Sequence, residues 1–193
     1  LTGDATTGVS LQRMVAALDA GPIAAESAPE LIRPEDTSES LGDRLAEVSA
    51  RLMEAALPTL LSGRSTLRPQ DPAGVTLCRT FRKEDGAIDW EQESPEAIER
   101  RVRAFTPWPG CHAFAGGKRL GLLRVAVASP QEIAPLAAQP VPAGTILPGG
   151  IVAAGTGGVR LLEVKPEGKG AMAWTDYVRG ASHVVGTRLT QRP

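Results

Sequence analysis

Side chains able to do chemistry are few in this sequence and widely spaced. Asp19 sits in Leu18-Asp19-Ala20-Gly21-Pro22, where glycine supplies unusual dihedrals and proline fixes the exit of a turn. On residue type alone it is a turn aspartate whose carboxylate bonds its own backbone. Asp4 reads as another turn residue without a catalytic role. The two histidines, His112 and His183, lie far downstream. Cys78 and Cys111 are the only cysteines, and they lack the CxxC or Cys/His spacing of a zinc site or a disulfide framework. Both are expected to be buried, reduced thiols of a cytoplasmic protein, and no metal is expected.

Charge gives a second lead. Residues 1–76 carry 6 Lys+Arg against 11 Asp+Glu, a net of −5, whereas residues 77–193 carry 15 against 11, a net of +4. Only the second half therefore has an electrostatic reason to meet a polyanion. Its candidate contacts are Arg82, Lys83, Arg100, Arg103, Lys118, Arg119, Lys165 and Lys169. Aromatic residues make up only 4% of the chain, so stacking surface is scarce, while 21 Gly and 16 Pro favour many turns. Phe105, Trp108 and Trp90 read as core and turn anchors. An apolar content of 42% supports a packed core and excludes global disorder. No apolar run reaches the roughly 18 to 20 residues of a membrane-spanning helix. The opening residues lack the charged and apolar regions of a signal peptide. A start at Leu1 suggests a sequence that begins partway through a longer protein.

The elements that must position these residues follow from periodicity. Thr7–Met14 alternates apolar and polar residues as a half-buried strand does, and Ile23–Ala28 reads as its return. Asp36 or Thr37 is a candidate cap for a helix whose stripe of Leu41, Leu45, Val48, Leu52, Ala55 and Ala56 runs to about Leu61 and stops at Gly63. That stripe must pack on something, and sequence preceding Leu1 is the natural candidate. Residues 63–76 are a polar, proline-bearing linker. Val75–Phe81 then reads as a strand, and Lys83-Glu84-Asp85-Gly86 as a charged turn. Ser94-Pro95 starts a helix with Ile98, Val102 and Phe105 on one face and Arg100 and Arg103 away from it. The segment Pro107-Trp108-Pro109-Gly110 ends this helix and holds Trp108 extended and buried. Gly116-Gly117 is a hairpin turn leading into a strand from Arg119 to about Ala128. A loop covers roughly 129–142, and short strands follow near Thr145–Leu147, Ile151–Ala154 and Val159–Val164. A last helix over Ala171–Val178 ends at Gly180 as a C′ glycine. Strands at this spacing suggest a small barrel.

Four segments carry a resemblance. Thr7-Gly8-Val9-Ser10 with Leu18-Asp19-Ala20-Gly21-Pro22 looks like the last catalytic segment of formyltransferases that use 10-formyltetrahydrofolate. Lys83 through Trp90, Arg103 through Gly110, and Gly168–Met172 with Tyr177–Gly180 are similar to motifs of the methionyl-tRNA formyltransferase C-terminal domain, in family order. The resemblance implies that residues 1–62 are the tail of a doubly wound α/β catalytic domain and that 77–193 form an OB-like β-barrel that binds tRNA. It implies formyl transfer from 10-formyltetrahydrofolate to the amine of methionyl initiator tRNA by a cytoplasmic monomer. The family uses an Asn-x-His pair with an Asp: Asn and His stabilise the oxyanion, and Asp organises His and proton transfer. Asp19 matches that Asp. The Asn-x-His pair and the folate-contacting Ser-Leu-Leu-Pro stretch have no counterpart here, so folate-binding residues are unassigned. An RNA-binding module without catalysis, or another folate-dependent formyltransferase, are the alternatives.

Overall fold

The computed structural model describes residues 1–134, 141–181 and 184–193. The chain folds into two compact units, Thr2–Thr80 and Phe81–Pro193.

In the first unit, β1 (Thr6–Thr7) pairs antiparallel with β4 (Glu30–Leu31), and β2 (Ser10–Gln12) with β3 (Ile23–Glu26). The alternating segment around Ser10 and its return near Ile23 are thus strands, as expected, though shorter. Helix α1 spans Ser38–Leu61. Thr37 is its cap: the hydroxyl accepts from Ser40 N at 3.2 Å, and the Ser40 hydroxyl accepts from Thr37 N at 3.1 Å. Asp36, the other candidate cap, is instead buried among donors. Arg44 gives it Nη1–H at 3.0 Å and Nη2–H at 2.5 Å, Arg33 N donates at 2.8 Å, and Ser40 Oγ at 3.0 Å. The Arg44 guanidinium holds the Asp36 carboxyl well below the usual carboxylate range. On α1 only Val48 of the stripe is buried, and Met53, Leu57 and Leu61 elsewhere on the helix are exposed.

Val75–Phe81 does not form the expected strand. Among the described residues no strand pairs with its backbone, and apolar residues alone do not make a ladder. Val75 and Leu77 are exposed, and so is Cys78, which corrects the expectation that both thiols are buried. Cys111 is buried, and burial pushes its thiol up to about 12.

The second unit is built on a seven-stranded antiparallel sheet. Its strands are β5 (Cys111–Ala115), β6 (Lys118–Val127), β7 (Ile146–Leu147), β8 (Ile151–Ala154), β9 (Gly157–Pro166), β10 (Met172–Ala173) and β11 (Leu189–Thr190). The order is β11-β5-β6-β9-β8-β7, with β10 added to β9. These ladders do not form a closed barrel, and no parallel ladder occurs among the described residues. Gly116 and Gly117, both at positive φ (55° and 78°), make the two-residue turn between β5 and β6.

Helix α2 (Pro95–Ala104) is capped by Ser94, whose hydroxyl accepts from Ala97 N at 3.2 Å. Its Ile98 and Val102, with Phe105 just beyond, join Ile88, Trp90, Leu120, Leu122, Val159 and Val164 in the core. Phe105 and Trp90 are therefore the core anchors expected. A helical turn, α3 (Pro130–Ile133), stands where a loop was expected, because Glu132 accepts from both Ser129 N and Ser129 Oγ. The rest of that loop, residues 135–140, lies outside the described residues. Helix α4 (Trp174–Arg179) ends at Gly180, whose φ of −94° is right-handed rather than the left-handed C′ form expected. No helix among the described residues is long and apolar enough to cross a membrane.

Candidate functional site

Two places gather the residues that the sequence singled out. In the first unit, residues 13–22 form a loop pinched shut by Arg13 N donating to Pro22 O at 3.0 Å. Gly21 is required at the pinch, since a Cβ there would stand 1.7 Å from the Arg13 carbonyl oxygen. Asp19 lies on this loop at φ 52°, the one non-glycine residue at positive φ among the described residues. Its main chain is fixed from outside: Gln70 Nε2 donates to Asp19 O at 2.8 Å and to Gly21 O at 2.7 Å. Its carboxylate is exposed and accepts from Gln12 Nε2 at a long 3.3 Å. Gln12 Oε1 in turn accepts from Gln70 Nε2 at 3.1 Å. Sequence reasoning missed both glutamines. Gln12 was visible as a polar position of an alternating strand, but nothing local distinguishes Gln70.

A carboxylate with an anchored backbone and few side-chain partners is free to accept a proton or to orient a base. Its own unit, Thr2–Thr80, contains no histidine. The sequence contains no asparagine. His112 belongs to the second unit, and His183 lies outside the described residues.

The second place is the outer face of the β5–β6–β9 sheet. Gly121 on β6 is the register partner of His112 on β5 and of Lys165 on β9, and Arg119 lies two residues before it on the same face. Arg119, Gly121 and Lys165 share a groove of about 330 Å³ with Pro107, Pro109 and Gly110 on one rim and Pro166–Gly168 on the other. His112, on the same face of the sheet as its register partner Gly121, is buried and lies edge-on to Phe114 at 5.8 Å between ring centroids. Burial lowers its imidazole below the ordinary range, and the Arg119 cation pushes the same way.

Of the eight candidate cations, two, Arg119 and Lys165, share the groove. Lys118 is exposed at the start of β6, and Lys169 is exposed in the turn beyond β9. Arg82 and Lys83 are exposed at the short helical turn Lys83–Gly86, where Arg82 N donates to Asp85 Oδ2 at 2.7 Å. Arg100 is half-buried on α2. Arg103 is tied to Glu99, Nε to Oε1 at 2.5 Å, and is therefore not the free cation its helical position suggested.

Trp108 overturns a further expectation. The Pro107–Gly110 segment is a turn with cis peptide bonds before Pro107 and Pro109, and Trp108 is 55% exposed at its tip rather than extended and buried. Gly86 packs against this turn so closely that a Cβ would stand 1.9 Å from Gly110 O. The motif is thus held at its glycine end, and its ring is left in solvent.

The family model described as "Formyl transferase, C-terminal domain" matches residues 80–182. The chain belongs to that family. Its relatives include the methionyl-tRNA formyltransferases of Geobacter sulfurreducens, 33% identical over 193 residues, and Myxococcus xanthus, 39% identical over 190 residues. The first alignment covers 98% of this chain and 57% of the relative, and the second 96% and 57%. This chain therefore spans somewhat more than half the length of the curated relatives it matches. Among solved structures it is similar in fold to HypX from Aquifex aeolicus, with a TM-score of 0.65 at 17% identity over 93% of this chain and 32% of that one. HypX in complex with tetrahydrofolic acid gives 0.62 at 20% identity, covering 91% and 30%.

Proposed function

We propose that this chain is the C-terminal portion of an enzyme that moves a formyl group from 10-formyltetrahydrofolate to the amine of methionyl initiator tRNA. The carrying observation is identity of 33% and 39% to methionyl-tRNA formyltransferases across nearly the whole chain. A neighbour in fold solved with tetrahydrofolic acid supports a folate-type donor.

In this reading residues 1–62 end a doubly wound catalytic domain, 63–76 link it, and 77–193 are an OB-like tRNA-binding domain of a cytoplasmic monomer. Barrel-like closure is supported by hydrogen bonds between the two ends of the strand order. Ile146 N donates to Thr187 O at 2.9 Å, Gly186 N to Ile146 O at 2.8 Å, and Leu189 N to Gly144 O at 2.8 Å. Asp19 is the catalytic carboxylate. As the amine attacks the formyl carbon, Asp19 orients the histidine of an Asn-x-His pair supplied by other sequence and steadies the positive charge that develops there. The fixed Asp19 backbone and its accessible carboxylate suit that role.

Two measurements test the reading. Purified 1–193, holding Asp19 without its partners, should show no formyl transfer to Met-tRNA; turnover above background would refute the division of labour. Filter binding should show tRNA affinity falling with salt at a log–log slope of about −2 to −4, with initiator and elongator tRNAs competing about equally. Salt-independent binding would remove tRNA as the partner of the basic half.

A further inference from the structure

We propose that the groove beside the Pro107–Gly110 turn is a subsite for one unpaired nucleotide of single-stranded RNA, its base stacked on Trp108 and its phosphate held between Arg119 and Lys165. This rests on the RNA-binding reading above and assigns it a particular place. Three features combine there.

The first is room for a phosphate between two cations. Gly121 forms the floor between Arg119 and Lys165, and lacking a side chain it leaves open the face that the cations border. A Cβ at this position would meet Lys165 O at 3.3 Å. The second is that the cations are available. Neither Arg119 nor Lys165 is ion-paired with a carboxylate among the described residues. Glu167, the one acid on the rim, is tied to the end of the sheet by accepting Arg119 N at 3.1 Å. The third is the ring. Of the three tryptophans, Trp90 and Trp174 are buried and Trp108 alone is exposed, on a turn whose two prolines line the same groove. An exposed aromatic carried between two groove-lining prolines, on a turn that borders two cations, matches the stacking-plus-phosphate chemistry of single-stranded nucleic acid, since every base has a π-face. Duplex RNA hides its base faces, and an acidic peptide would leave the ring unused.

The 193-residue chain allows a direct test through Trp emission. A ten-nucleotide oligoadenylate should quench the emission and shield it from iodide, because the ring it covers is the exposed one. Trp108→Leu should abolish the quench and weaken oligoadenylate binding about tenfold or more, and Trp108→Phe should restore most of the affinity. Arg119→Gln and Lys165→Gln should each reduce the salt slope by about one while leaving the far-UV spectrum unchanged. If Trp108→Leu fails to fold, iodide quenching of the wild type still decides the matter: shielding by oligoadenylate supports the proposal, and unchanged quenching at saturating oligoadenylate overturns it. Tighter binding of an RNA hairpin stem or of polyglutamate than of oligoadenylate overturns the proposal. So does wild-type tRNA affinity in Trp108→Leu, Arg119→Gln and Lys165→Gln alike, which would leave the wider tRNA reading intact. Failure of the unaltered chain to bind tRNA at all would remove both.

Discussion

Gly86 and Gly110 touch so closely that neither backbone leaves space for a side chain on Gly86. A Cβ there would lie 1.9 Å from the Gly110 carbonyl oxygen and 3.3 Å from His112 Nδ1. The segments Lys83–Trp90 and Arg103–Gly110, separate in sequence, are in this way one structural feature. Gly86→Ala should destabilise the Phe81–Pro193 unit by about 3 kcal/mol, because both neighbours are constrained backbone or buried ring. Gly42, inside α1 with nothing within 4 Å of its Cβ position, is the opposite case. Gly42→Ala should stabilise by about 0.5–1 kcal/mol. Urea titrations of the two variants would measure both effects. A neutral Gly86→Ala would mean the turn relaxes easily.

Acid should weaken the Asp36 contacts only below its unfolded value near 3.8. Its folded-state pKa is depressed, chiefly by the Arg44 hydrogen bonds, so its contribution is present above the unfolded value near 3.8 and is lost as pH falls toward the lowered one. Asp36→Asn keeps the shape but removes the charge facing Arg44. It should cost about 2 kcal/mol at pH 7 and flatten the stability profile below pH 4. Melts of both proteins from pH 7 to pH 2.5 would test it. Parallel losses on acidification would show that other carboxylates dominate.

The role proposed for Asp19 can be read in an enzyme that contains this chain and its Asn-x-His partners. Asp19→Asn should lower kcat by at least about 100-fold with little change in thermal stability, since its carboxylate makes one long hydrogen bond. A loss below about threefold would return Asp19 to the role of a turn residue.

Exposure of Trp108 changes what its removal should do. A buried ring would cost about 3–5 kcal/mol on truncation to alanine. At 55% exposure, Trp108→Ala should cost less than about 1 kcal/mol. Denaturant midpoints would separate the two values clearly.

Much of the fold was legible because its signals are local. Thr37 and Ser94-Pro95 mark helix starts by their capping chemistry, and Gly116-Gly117 marks a hairpin by its dihedrals. What escaped depends on partners distant in sequence or absent. Val75–Phe81 has a strand-like composition, but no strand among the described residues pairs with it. Asp36 looked like a cap until Arg44, two helical turns on, drew its carboxylate away. Arg103 pointed away from the core as its position required, yet Glu99 one turn earlier claims it. Trp108 shows that two flanking prolines set a backbone path but do not fix which side of it meets water. Asp19 was located by the resemblance of its turn, whereas Gln12 and Gln70 around it left no local mark.

The distribution of buried apolar residues has a consequence for local opening. In Thr2–Thr80 Val48 is the one buried hydrophobic residue, while every other one among the described residues lies between Ile88 and Leu189. Hydrogen-bonded amides of β2 and β3 are therefore guarded by little packing, and those of β5, β6 and β9 by a continuous core. Amide hydrogens in the first group should exchange through small, frequent openings, and those in the second through excursions approaching complete unfolding. The loop that carries Asp19 thus belongs to the part of the chain that samples open states most readily. The groove that carries Arg119 and Lys165 stands on the part that opens least.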